Sequence, residues 1–110
     1  MILILKHKWY DMIASGEKRE EYRDYHVRRN WRIADRLLQM MPPERVVELR
    51  RGYTKTYLFA HVVDVGVAEC AVSRSALRED GFEMRPEWGF DRSVKTIVFR
   101  LGRIVKGGQG

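Results

Sequence analysis

Ile2-Leu3-Ile4-Leu5-Lys6-His7-Lys8-Trp9-Tyr10-Asp11-Met12-Ile13-Ala14-Ser15-Gly16-Glu17-Lys18-Arg19-Glu20-Glu21-Tyr22-Arg23 holds a strand, a helix and a second strand in succession. Ile2 to Leu5 are continuously apolar, as expected of a strand buried on both faces. Trp9, Met12 and Ile13 recur at i, i+3 and i+4, the spacing of one helical face, and Gly16 offers the left-handed residue that stops a helix. Arg19 to Tyr25 alternates weakly and predicts a strand. At a period of two, Glu21 and Arg23 point to one side, Glu20 and Tyr22 to the other. The same run matches the spacing G-x-K-x-x-E-x-R at Gly16, Lys18, Glu21 and Arg23. A lysine, a carboxylate and an arginine at one end of a sheet suit a polar, anionic or base-bearing ligand better than they suit a core.

Downstream, the spacing predicts a second helix over 28–41. Trp31, Ile33, Ala34, Leu37, Leu38, Met40 and Met41 cover about half of its circumference, and Pro42-Pro43 ends it. Arg28, Arg32 and Arg36 recur every four residues on the opposite face, with Arg29 beside them. Such a stripe reads either as a solvated face or as a track for a phosphate backbone. The second half is strand-rich: Arg45 to Arg51, a turn at Gly52-Tyr53-Thr54-Lys55, then Tyr57 to Cys70 with Gly66 as a bulge or bend. Ser73 or Ser75 is placed to cap a short helix around Ala76-Leu77. Gly81 to Phe90, with Pro86 and Gly89, reads as a loop that Trp88 either pins or uses to line a cleft. Val94 to Val105 reads as a last strand system interrupted at Gly102, followed by a flexible tail over 107–110.

A chain of 110 residues supports one domain with one modest core, here 1–106. Lys and Arg number 21 against 15 Asp and Glu, a net charge of +6, which points to an anionic partner or simply to solubility. Cys70 is the sole cysteine, so no disulfide forms within the chain and a reducing cytoplasm fits; it reads as a small core residue. His7, His26 and His61 are scattered, without zinc spacing, and neither a metal nor another cofactor is expected. The apolar opening is far shorter than the roughly 20 residues of a membrane-spanning helix, so no membrane partner is expected. Closely spaced strands with two early helices predict an α+β domain, a small barrel flanked or plugged by helices, whose closure hides its sheet edges.

The opening from Ile2 to Lys18, together with the matched Gly16, Lys18, Glu21 and Arg23, resembles the ASCH domain family of the PUA-like superfamily. Trp31 before an apolar helix, Leu49-Arg50-Arg51-Gly52-Tyr53, and the closing Thr96-Ile97-Val98-Phe99-Arg100-Leu101-Gly102-Arg103-Ile104 resemble the compact members often carried by phages. The resemblance implies a PUA-like β-barrel of five to six strands with two to three flanking helices. It also implies a cleft beside the first helix that takes RNA or a modified base. Some family members are hydrolases: one group deacetylates 4-acetylcytidine with a lysine and, three residues on, a threonine, and some relatives act as ribonucleases. In this chain Glu21 stands where that threonine would be.

The residues themselves leave several chemistries open. Lys18 and Glu21 can orient each other and bind a ligand, with Arg23 offering its fork to phosphate or a base edge. In a desolvated cleft, Lys18 becomes a general base and Glu21 its partner. A structural ion-pair network is the third reading. Tyr22, Tyr25, Trp31, Tyr53, Tyr57 and Trp88 are potential stacking platforms, and Tyr53, flanked by Arg50, Arg51 and Lys55, is the best placed. Trp9 and Trp31 fit the apolar helix faces and read as core. The leading expectation is an RNA-binding module with Lys18, Glu21, Arg23 and Tyr53 at the ligand and Arg28, Arg32, Arg36, Arg50, Arg51 and Lys55 along the nucleic acid. The alternatives are a hydrolase acting on a modified nucleoside or RNA with Lys18 and Glu21 as catalytic residues, and a phage regulator that binds a host protein.

Overall fold

The computed structural model describes residues 1–69 and 81–107. Cys70, the capping serines Ser73 and Ser75, the short helix expected at Ala76-Leu77, and positions 108–110 of the tail lie outside the described residues.

Five strands form one sheet: β1 (Ile2–Leu5), β2 (Glu20–Asp24), β3 (Val46–Arg51), β4 (Tyr57–Ala68) and β5 (Thr96–Lys106). Their order is β1-β3-β4-β5-β2, with β1 parallel to β3 and every other pair antiparallel. The sheet curls into a half-barrel, the PUA-like α+β architecture expected from the resemblance, but the closure expected to hide its sheet edges is not made. Its edge strands, β1 and β2, share no ladder. Two helices, α1 (His7–Ala14) and α2 (Arg28–Gln39), fill the curl. Tyr10 and Ile13 of α1 and Ala34 and Leu37 of α2 meet Leu3, Leu5, Val47, Leu49, Leu58, Ile97 and Phe99 in the main core. A smaller cluster of Ala68, Phe82, Met84 and Val98 lies on the other face of the sheet. Opposed antiparallel residues share a face. Glu21, opposite Phe99, and Arg23, opposite Ile97, therefore face the main core, whereas Tyr22, opposite Val98, faces the small cluster. The period-two assignment of these four residues holds.

Several expectations need correction. Helix α2 stops at Gln39 because Met40 and Met41 are already extended ahead of Pro42 and Pro43, and the residue before a proline is biased away from helical backbone. Its apolar stripe is wider than the surface that covers it: Leu37 is fully buried, but Trp31 is 45% exposed and Leu38 50%. Trp31 is therefore not core. Gly66 is no bulge, since it pairs in register with Val98; the register shifts lie between Ala60 and Asp64. A glycine is needed at 66 because a Cβ would sit 2.5 Å from the Phe82 ring. Nor does Gly102 interrupt β5, which runs unbroken past it opposite the shifted stretch.

Candidate functional site

The site begins at the end of α1. Gly16 takes φ +86°, and the amides of Gly16 and Lys18 donate to the carbonyls of Ile13 (3.0 Å) and Met12 (2.9 Å). This left-handed closure reverses the chain and delivers Lys18 to the mouth of β2. Lys18 is 2% exposed. Its Nζ donates to Glu21 Oε1 at 3.1 Å, and Arg23 Nε donates to Glu21 Oε2 at 2.8 Å. Arg23 Nη2 reaches the carbonyl of Ile4 on β1 at 2.8 Å. Glu21 is thus a buried hub, and Arg23 ties it to the opposite edge of the half-barrel.

An ammonium has three donors. Glu21 takes one, and among the described residues nothing accepts the other two. Instead the Lys18 ammonium lies 4.5 Å from the Trp9 ring centre and 5.4 Å from that of Tyr22, contacts that favour the cation through the ring quadrupole. Burial lowers the Lys18 pKa; Glu21, by charge and hydrogen bond, pulls it back up, and Arg23 adds a further downward push. The net shift is downward.

A cleft of about 260 Å³ opens over this cluster, walled by Trp9, Tyr22, Trp88 and Gly89 and floored by Lys18, Glu21 and Arg23. Its far wall is loop 81–90, held down by Glu20. That buried carboxylate accepts the amides of Glu83 and Met84, both at 2.8 Å, and the Tyr22 hydroxyl at 2.8 Å; the hydroxyl in turn accepts the Arg85 amide at 3.0 Å. Burial, followed by the Glu20 charge, drives the Tyr22 pKa far above the ordinary phenol range, so Tyr22 stays a neutral donor. Trp88 is 3% exposed, with the Arg19 and Arg85 guanidinium groups about 5 Å from its ring centre, and Glu83 bridges those two arginines. Gly89, at φ +96°, lies so close to Trp9 that a Cβ would stand 2.9 Å from the indole.

The signature residues Lys18, Glu21 and Arg23 are brought together as expected. Tyr53 is 94% exposed and lies in a neighbouring depression that shares Arg23 with the cleft. Arg28, Arg32 and Arg36 form an exposed row on α2, and Lys55 is exposed in the β3–β4 turn; none has an ion-pair partner among the described residues. Arg50 and Arg51 are engaged within the fold, with Glu48 and Asp11 respectively. Tyr25 and Trp31 line an apolar depression beside α2, and Tyr57 packs on Phe59; none of the three lines the cleft. Sequence reasoning missed Glu20 as the anchor of loop 81–90, and it did not see that Trp9, which packs against the main core as expected, is also a cleft wall. A carboxylate at i−2 from a tyrosine on one face of a strand was the signal available for Glu20. No serine or threonine lines the cleft among the described residues, so the hydroxyl absent from position 21 is not supplied from elsewhere in them. Neither is there a cluster of three or more metal-ligating side chains among them, nor a helix long and apolar enough to cross a membrane.

No protein-family model matches this chain, and no curated protein matches it. Among solved structures, a serine-to-alanine mutant of ZmASCH from Zymomonas mobilis is similar, with a TM-score of 0.54 and 16% sequence identity over 96% of this chain and 68% of that one. At that identity the likeness establishes the fold: the half-barrel with its two helices is that of an ASCH protein.

Proposed function

We propose that the domain is an ASCH-type nucleic-acid-binding module, RNA before DNA, whose cleft receives one unstacked base. The observation that carries this reading is the Lys18 ammonium, buried at the cleft floor with two donors unspent. A buried charge that makes one hydrogen bond is a poor device for stability. It is a good device for donating to a base carbonyl, with Trp9 as an apolar wall. The cleft lies below the about 300 Å³ at which drug-sized pockets begin, which matches a single base. The +6 charge and the exposed row Arg28, Arg32 and Arg36 supply the electrostatic footprint for the backbone.

A second reading, a hydrolase acting on a modified nucleoside or RNA, draws on the downward shift of the Lys18 pKa, which favours a general base. Glu21 would then be its partner. One experiment separates the two. Wild type and Lys18→Met are incubated with total RNA and with a panel of acylated nucleosides, and retention and mass are both read. Retention of RNA by wild type alone, without a mass change, supports the binding module. A Lys18-dependent mass change supports the hydrolase. Equal retention by both proteins, without a mass change, sinks both readings of Lys18.

A further inference from the structure

The cleft does not end at Arg23. On the other side of that side chain lies a second depression of about 370 Å³, walled by Ile4, Arg23, Val27, Arg29, Asn30 and Tyr53. Ile4 and Arg23 belong to both depressions, so the guanidinium is a divide between two compartments. Its Nε and Nη2 are committed to Glu21 and Ile4, while Nη1 makes no hydrogen bond among the described residues.

The second compartment has its own chemistry. Tyr53 stands 94% exposed on a turn that is held in place: Gly52 takes φ +59°, and its amide donates to the Leu5 carbonyl at 2.8 Å. An aromatic ring presented to solvent on a fixed turn contributes no core packing, and every nucleobase has a face to stack on it. Arg29 is exposed and has no ion-pair partner among the described residues. Asn30 is 8% exposed; its Nδ2 donates to the Asp24 carbonyl at 3.1 Å, and its Oδ1 accepts nothing among the described residues. At the same place α2 begins without a side-chain cap and without an acidic residue in its first turn; the Asn30 amide is spent on the Val27 carbonyl at 3.0 Å, which leaves those of Arg28 and Arg29 open to an anion.

We propose that this depression is a second nucleotide subsite, with Tyr53 stacking a base and Arg29 holding a phosphate, so that the ligand is a single strand crossing the β1–β2 seam over Arg23. The proposal rests on the cleft being a base site and adds to it a requirement for chain length: a free nucleoside or nucleotide fills one compartment, a strand both. A duplex would have to unpair and flip out its bases to fill either compartment, so a single strand is the favoured ligand.

The test is a titration of wild type, Tyr53→Ala, Arg29→Ala and Lys18→Met with a short mixed-sequence single-stranded RNA and with nucleoside monophosphates, each at two salt concentrations. Tyr53 and Arg29 are exposed, so these two variants should keep the fold, which circular dichroism checks. Wild type is expected to bind the RNA more tightly than any monophosphate. Tyr53→Ala should weaken RNA binding by roughly 5- to 150-fold and monophosphate binding by less, because the Lys18 cleft still holds a single nucleotide. Arg29→Ala should weaken RNA binding and lower the slope of log affinity against log salt by about 0.7. Lys18→Met should weaken both ligands. If Tyr53→Ala and Arg29→Ala bind RNA like wild type while Lys18→Met does not, the second subsite is refuted and the base cleft stands. Equal affinity of wild type for RNA and monophosphates likewise overturns the subsite. Absence of binding of either ligand to wild type overturns the subsite together with the cleft reading beneath it.

Discussion

Arg23 Nη2 donates to the main-chain oxygen of Ile4 at 2.8 Å, across the gap between the two edge strands of the half-barrel. A side chain thus spans the seam that no ladder closes, and the same guanidinium grips Glu21 through Nε. The seam and the candidate site are therefore one structure.

Lysine at position 23 would keep the charge but present a single point donor where arginine offers a fork. Arg23→Lys is expected to lose one of the two contacts and about 1–3 kcal/mol of stability, read by urea unfolding, along with most of the ligand affinity. A variant with unchanged midpoint and affinity would show that the seam does not depend on this link.

Glu21 serves two cations, so its removal should cost more than removal of either. Glu21→Gln leaves Lys18 buried without a counter-charge and is expected to cost about 3–5 kcal/mol. Lys18→Met replaces a buried ammonium beside Trp9 with an apolar chain and leaves Glu21 paired to Arg23, so its cost should be well under that. Equal losses in denaturant unfolding would contradict the hub arrangement.

Glu83 gives a pH signature. Partial burial raises its pKa, but hydrogen bonds from Arg85 and Arg19 and their charges together outweigh burial and hold it below the ordinary value of 4.5. The unfolded chain therefore takes up the proton first. The stability this carboxylate contributes is complete above about pH 4.5 and is lost as pH falls through its lower folded value. Glu83→Gln should be less stable than wild type at neutral pH, and the two should converge in acid, with circular dichroism as the probe. A gap that persists unchanged into strong acid would exclude the carboxylate as its source.

Gly89 is required twice, by its φ of +96° and by the indole of Trp9 beneath it. Gly89→Ala is expected to cost about 1–2 kcal/mol from the backbone alone and to displace the Trp9 wall, lowering affinity while leaving Lys18 in place. Thermal unfolding and the RNA titration check both parts. A variant as stable as wild type would mean that loop 81–90 yields freely, contrary to its anchoring by Glu20.

The parts legible from the residues alone share one property: they depend on neighbours within a few positions. The left-handed stop at Gly16, the shared side of Glu21 and Arg23, and the proline end of α2 follow from backbone periods and φ preferences that act locally. The exposure of Trp31 was not legible, because half of a helix can be apolar while the curled sheet covers only part of that half. Arg51 looked free for nucleic acid because its partner, Asp11, lies 40 residues away. Glu20 was overlooked because the amides it receives belong to a loop 63 and 64 residues downstream.

By itself, then, the sequence determined that a lysine, a carboxylate and an arginine stand together at the mouth of a strand in a small α+β domain. Spacing within a single turn and strand was enough to place them. Only the tertiary structure decided that Glu21 joins both cations, that Trp9 and Trp88 wall a cleft above them, and that Arg23 divides this cleft from a second compartment. Those relationships are set by which distant segments pack against one another as the sheet curls, and no local period encodes that.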